Sequence, residues 1–133
     1  RPPRSTLFPY TTLFRSNDFF ASLTFPVAAS HATFVTGGWG GDIVGISSID
    51  GWDAADNETR NYFEFENGLW YPIHISVSTA LIRVAIGGKS VVRASIAGRS
   101  VYLRPGPAKL TAPLGFLSYN PAGEIRGIET RAA

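Results

Sequence analysis

The stretch Asn61–Val92, NYFEFENGLWYPIHISVSTALIRVAIGGKSVV, leaves this chain few folds to choose from. Tyr62, Glu64 and Glu66 alternate with Phe63, Phe65 and Asn67, the period-2 pattern of a strand with two unlike faces. Asn67-Gly68 follows, a turn dipeptide in which both residues tolerate positive φ. Trp70–Thr79 reads as a long strand with Ile73, Ile75 and Val77 on one side and His74 on the other. Ser78-Thr79-Ala80 is read as a turn, and Ile82, Val84 and Ile86 resume the alternation. Gly87-Gly88 predicts a two-residue hairpin into Val91-Val92. These are the strands of an antiparallel meander, and the expected class is an all-β sandwich.

The flanking sequence extends the pattern. Phe19–Pro26 reads as a buried strand ended by Pro26, and His31–Thr36 as the next, with Ala32 and Phe34 on one face. Gly37-Gly38-Trp39-Gly40-Gly41 is the turn into Asp42–Ile49. Ser48–Arg60 is polar and turn-rich, a surface loop of the length that often carries function. Beyond the meander, Ala94–Ile96 and Ser100–Leu103 flank a turn at Gly98, Arg104-Pro105-Gly106-Pro107 breaks the sheet, and Leu114–Tyr119 and Ile125–Thr130 close it.

One segment reads differently. Thr6–Ser16, TLFPYTTLFRS, is the codon-for-codon translation of a common sequencing-adapter oligonucleotide. Residues 1–16 are therefore expected to lie outside the domain, which is placed at residues 17–133 with its first strands and any signal peptide upstream. Arg1, Arg4 and Arg15 supply three of the twelve basic residues, and the other nine face ten acids. Residues 17–133 are thus about neutral, which argues against nucleic-acid and membrane-surface partners. A composition 44% apolar and 17% charged suits a globular core, and no apolar run reaches a membrane span. The chain has no cysteine, so disulfides and thiolate metal sites are excluded.

Polar residues that could carry chemistry gather in two places. The first joins the glycine hairpin and the 48–60 loop, with His31, Trp39, Asp42, Asp50, Trp52, Asp53 and Glu58. Aromatic rings beside carboxylates suit a sugar, because a ring stacks on its C–H face while carboxylates accept its hydroxyls. Trp39 and Trp52 are the candidate platform, with ordinary loop packing the competing reading. The second place is the strand face bearing Glu64 and Glu66. These read either as a carboxylate pair for glycoside chemistry or as a solvated outer face. His31 reads either as a general base or as a hydrogen-bonded strand histidine. Asp50, Asp53, Asp56 and Glu58 lack the spacing of a calcium loop.

The order aromatic-Glu, turn, Trp-Tyr-x-Ile-x-Ile-x-Val, Arg-Val-x-Ile-Gly-Gly-Lys-x-Val, then Pro-Leu-Gly-Phe and Ile-Arg-x-Ile resembles the concanavalin A-like (laminin-G-like) jelly roll. More narrowly, it is similar to the bacterial 3-keto-disaccharide hydrolase-type domain, over roughly Asp18 to the C-terminus. The resemblance implies a concanavalin A-like jelly-roll β-sandwich, truncated at its N-terminus, that binds or cleaves glycosides. A ketone at C3 acidifies the C2 proton, so a base with an oxyanion stabiliser or divalent metal can expel the C1 substituent. Asp42 takes the position of the family's strand carboxylate, although Gly41-Asp42-Ile43-Val44 departs from its usual Tyr-Glu-x-Gln. The expected catalytic residues are Asp42, His31 and Glu64, and the expected sugar-binding residues Trp39, Trp52, Asp53 and Glu66. The resemblance also implies a periplasmic or extracellular location. The competing class is a non-catalytic laminin-G-like sugar-binding module attached to other domains of a longer parent chain.

Overall fold

A computed structural model describes residues 3–12, 20–37, 42–66, 70–103, 109–110, 112–119, 123–125 and 128–132. Its strands are β1 (Pro3–Thr12), β2 (Phe20–Val27), β3 (Ser30–Gly37), β4 (Ile43–Ser47) and β5 (Asn61–Tyr62). β6 (Trp70–Val77), β7 (Leu81–Ile86), β8 (Lys89–Ser95), β9 (Gly115–Tyr119), β10 (Gly123–Ile125) and β11 (Ile128–Ala132) complete them. Sheet A has the order β10-β1-β6-β7-β8, with β11 also on β1; sheet B has the order β5-β4-β3-β2-β9. The chain passes from A to B after β1, back to A for β6–β8, to B for β9 and to A again. This is an all-β jelly-roll sandwich.

Alternation sets which side chains meet between the sheets. From sheet A come Ile73, Ile75 and Val77 of β6, Ile82, Val84 and Ile86 of β7, and Val92 and Ala94 of β8, all buried. From sheet B come Leu23, Phe25, Ala32, Phe34, Val44 and Ile46. The hairpin turns follow the expected chemistry. Gly87 and Gly88 take φ of 58° and 82°, the double positive φ of a tight hairpin whose twist matches its strands. At the 78–81 turn, Ser78 N–H donates to Leu81 O at 2.9 Å while Ser78 Oγ accepts from Leu81 N–H at 3.0 Å.

Three expected strand limits shift. Pro26 lies within β2, exposed and opposite His31, and the strand continues to Val27. Among the described residues of the predicted strand at 61–67, pairing is confined to Asn61 and Tyr62. Its inside–outside alternation nonetheless continues, with Phe65 buried between exposed Glu64 and Glu66. The Ser100–Leu103 segment contributes one isolated bridge, Val101 to Ile49, rather than a strand.

Pro3–Thr12 forms β1, paired with β6 on one side and with β10 and β11 on the other. The register on β6 slips between Leu7 and Tyr10, at Phe8-Pro9, where proline offers no N–H to the ladder. The segment is rich in Thr, Phe, Tyr and Leu, and most of these types have good strand propensity.

Candidate functional site

The 48–60 loop is folded back onto the edge of sheet B. Ile49 and Trp52 exchange backbone hydrogen bonds of 3.0 and 2.9 Å around Asp50-Gly51, which take φ of 52° and 85°. That double positive φ makes a tight two-residue hairpin with Trp52 at its shoulder, 61% exposed. Beyond it, Asp53 O accepts from Asp56 N–H and Asn57 N–H at 2.9 and 3.0 Å, closing a compact turn.

Two side chains then replace a missing strand. β5 pairs with β4 only at Ile43 and Val44, which leaves the Ile46 backbone groups without a ladder partner. Asn57 Nδ2 donates to Ile46 O at 2.7 Å, and Thr59 Oγ1 accepts from Ile46 N–H at 2.9 Å. Asn57 Nδ2 also reaches Trp52 O at 3.0 Å, while Asn57 Oδ1 accepts from Thr59 N–H at 2.9 Å. A buried edge needs such partners, because an unpaired backbone group out of water is costly. The result is a loop fixed in place, with Ala54 and Thr59 buried against Gly45.

Carboxylates on this loop are engaged by one arginine. Arg99 Nε donates to Asp50 Oδ2 at 2.8 Å, and Arg99 Nη1 to Glu58 Oε1. Asp50 Oδ1 accepts from Ser100 N–H at 2.9 Å. The Ser100 amide and then Arg99 hold the Asp50 carboxyl below its ordinary pKa, and Arg99 does the same for Glu58. The two carboxylates in turn raise Arg99. Asp50 and Glu58 are thus turned toward a guanidinium, and among the described residues no three His, Asp or Glu side chains gather as ligands for a cation.

Sheet B carries a row of small hydroxyls on its outer face. Thr24 and Thr33 lie opposite each other with their oxygens 3.3 Å apart, and Thr33 lies opposite Ser47. Ser47 Oγ donates to Asp53 Oδ1 at 2.9 Å, tying the row to the loop. His31, half-buried, stands two residues before Thr33 on the same face. His31, Trp52 and Asp53 therefore share one end of sheet B.

Asp42 lies at the other end. It is exposed at the start of β4, and its carbonyl accepts from Phe63 N–H at 2.9 Å, which sets it beside the chain leading to Glu64. The register aligns the start of β4 with the end of β3, so Asp42 and His31 are about 20 Å apart along the sheet by strand rise. The structure brings Asp42 and Glu64 to one end and His31, Trp52 and Asp53 to the other. Glu64 and Glu66 stay exposed on the same side of their segment, which is steadied below by the Phe63, Phe65 and Tyr71 rings at 4.7–5.6 Å. Glu66 N–H donates to Tyr71 Oη at 2.6 Å. Of the expected glycine turn, Gly37 ends β3 with φ of 71°, while Trp39 and the rest of the turn, residues 38–41, lie outside the described residues.

Tyr102 is a neighbour of Trp52 that sequence reasoning missed. Ser48 N–H donates to Tyr102 O at 3.0 Å, which brings residues 100–102 alongside 48–50. A Cβ at Gly51 would sit 3.4 Å from Tyr102 Oη, so the phenol lies directly against the hairpin tip. Tyr102 is 41% exposed, and its hydroxyl end lies at the tip of the hairpin that carries Trp52. Periodicity around Tyr102 could not signal this, because its partner is some fifty positions away and the contact is made by a backbone pairing.

Comparison with known proteins yields a likeness of fold. No protein-family model matches the chain, and neither does any curated protein. Among solved structures, the chain is similar to an alginate lyase from polysaccharide lyase family 7, with a TM-score of 0.54 and 14% identity. The match covers 98% of this chain and 59% of that one, so the chain spans about three-fifths of the neighbour's length. At this identity the likeness defines the class, a jelly-roll β-sandwich.

Proposed function

We propose that this domain binds carbohydrate, using Trp52 and Tyr102 as a stacking platform with Asp53 beside them. The observation that carries this is the exposed Trp52 ring on a hairpin fixed by Asn57 and Arg99, with the exposed Tyr102 phenol against Gly51 at the hairpin tip. An aromatic face presented by a rigid loop loses little side-chain freedom on binding and matches the C–H face of a pyranose. The alginate lyase neighbour, a protein that acts on a polysaccharide, supports the same class of ligand.

The resemblance to 3-keto-disaccharide hydrolases adds a catalytic reading. In it the Asp42 carboxylate takes the C2 proton of a 3-keto-glycoside to give the enolate, whose electrons return to form the C1=C2 bond as the C1–O bond breaks. The departing oxygen takes up a proton, and water then adds at C1 with a proton returned to C2. Exposed Asp42 with Glu64 close by in the chain fold favours it. The separation of Asp42 from His31 favours binding without cleavage, because acid and base must reach the same sugar.

Neutral and 3-keto-disaccharides titrated against tryptophan fluorescence test both readings. Binding that quenches fluorescence and is lost in Trp52→Ala, with Tyr102→Ala weakened, is the expected result. Quenching unchanged in Trp52→Ala would overturn the platform. Release of free sugar that stops in Asp42→Asn would convert the binder into an enzyme.

A further inference from the structure

The near-neutral total charge conceals a segregation. Residues 17–66 contain eight Asp or Glu and a single Lys or Arg, whereas residues 67–123 contain six Lys or Arg and no Asp or Glu. The first stretch supplies β2–β5 of sheet B with the 48–60 loop, and the second supplies β6–β8 of sheet A and β9 of sheet B; Glu124 and Glu129 follow on β10 and β11 of sheet A. The one cation of the acidic stretch, Arg60, stacks on Tyr62 at 5.4 Å, and Arg99 of the basic stretch is drawn across to Asp50 and Glu58.

The outer face of sheet A keeps its cations unspent. Arg83 of β7 lies directly opposite Arg93 of β8, and both are exposed. Among the described residues neither guanidinium has a hydrogen-bond or ion-pair partner. Like charges facing each other across two strands repel, so this pairing costs the fold something and invites an anion between them. Ser76 lies opposite Arg83, Ser90 opposite Ala85 and Ser95 opposite Leu81, with His74 of β6 also opposite Ala85. Hydroxyls therefore border the arginine pair.

We infer that the outer face of sheet A, centred on Arg83 and Arg93, binds a linear acidic polysaccharide bearing a carboxylate on each sugar. A guanidinium presents a planar fork that meets a carboxylate through two parallel hydrogen bonds, so two forks can grip two carboxylates. Neighbouring strands are about 4.8 Å apart, close to the advance of one 1,4-linked pyranose, so a chain lying across the strands would carry successive sugars past the two arginines. A nucleic acid fits less well, since its backbone would meet only this narrow row while the acidic sheet B repels a long polyanion. This site is on the opposite face of the sandwich from Trp52 and does not depend on the platform proposed above.

Affinity electrophoresis and calorimetry of the full chain with oligogalacturonate, a neutral 1,4-linked glucan oligomer and single-stranded DNA test it. The expected result is binding of oligogalacturonate that weakens as salt is raised and falls at least tenfold in Arg83→Ser/Arg93→Ser. Arg83→Lys/Arg93→Lys, which keeps the charge and loses the fork, is expected to recover only part of it. Trp52→Ala is expected to leave it unchanged, so failure of one site is distinguishable from failure of the other. Thermal unfolding of the serine variant at or above the parent temperature shows that the fold is kept. Equal oligogalacturonate binding by parent and serine variant, no binding by the parent, or tighter binding of DNA would each overturn the inference.

Discussion

Sheet A and sheet B meet across one apolar core, yet they treat their outer faces in opposite ways. On the outer face of β7 and β8, Arg83, Arg93 and Ser95 are exposed, and the strands alternate inside and outside except at Val91-Val92, where the register shifts. In sheet B the outer residues Ser22, Thr24, Thr33, Val35 and Ser47 are themselves buried. There the 48–60 loop lies over β4, with Ala54 and Thr59 packed on Gly45. A sheet open on one face needs only alternation, while a sheet covered on both needs small side chains outside and a loop with partners for its own polar groups. The difference teaches where each sheet is vulnerable: A along its strand edges, B at the seam between loop and strand.

The largest effect is expected from removing residues 1–16. β1 lies between β6 and the β10–β11 pair, so its loss leaves the β6 edge and both C-terminal strands without a ladder. The shortened chain is expected to self-associate with rising concentration through the open β6 edge, measured by sedimentation. A different strand of similar alternation fused at the same place is expected to restore a monomer, because the position needs paired backbone and β-compatible residues. A shortened chain that stays monomeric with unchanged thermal stability would place residues 1–16 outside the domain, as their adapter-like sequence implies.

Sheet B should respond sharply to small changes at its seam. Gly45→Ala puts a methyl 3.0 Å from both Ala54 Cβ and Thr59 Oγ1, an overpacking expected to cost about 1–3 kcal/mol. Thr59→Val removes the acceptor for Ile46 N–H and is expected to cost a similar ~1–3 kcal/mol, since a buried amide is left unpaired. Ser90→Ala and Ser95→Ala on the open face of sheet A should change stability by no more than about 0.5 kcal/mol. Urea unfolding of the four variants checks the contrast. Equal costs on both sheets would break it.

A smaller effect is expected from pH. Asp50 and Glu58 have folded pKa values below their ordinary ones, owing to Ser100 N–H and Arg99 at Asp50 and to Arg99 at Glu58. Their contribution is therefore full above the unfolded carboxylate range, near about pH 4, and is lost as pH falls through the lower folded values. Arg99→Gln removes much of the cause, so its thermal midpoint should decline less steeply below about pH 4 than the parent's. Parallel declines would show that the loop's carboxylates contribute little, as exposed pairs often do.

Much of this architecture was legible from local pattern. Ile73, Ile75, Val77, Ile82, Val84 and Ile86 announced the inner face of sheet A by alternation, and Gly87-Gly88 announced its hairpin, because period and turn chemistry are properties of neighbours in the chain. The resemblance carried by Trp70–Val92 and the later Pro-Leu-Gly-Phe pointed to the jelly roll for the same reason. What alternation could not show was where a strand finds its partner. Phe63–Glu66 keeps its period but its ladder stops at Tyr62, because β4 turns to Asn57 and Thr59 instead.

The candidate site was less legible still. Sequence alone grouped His31, Asp42 and Glu64 as residues of suitable chemistry, and it marked Trp52 and Asp53 on a polar loop. Only the antiparallel register of β3 and β4 sends His31 and Asp42 to opposite ends of sheet B, and only the 48–102 backbone pairing sets Tyr102 beside Trp52. Local composition determined the strands, their faces and the kinds of group available. Which groups meet was decided by long-range hydrogen-bonded pairing, whose partners lie tens of residues apart and leave no trace in either segment read by itself.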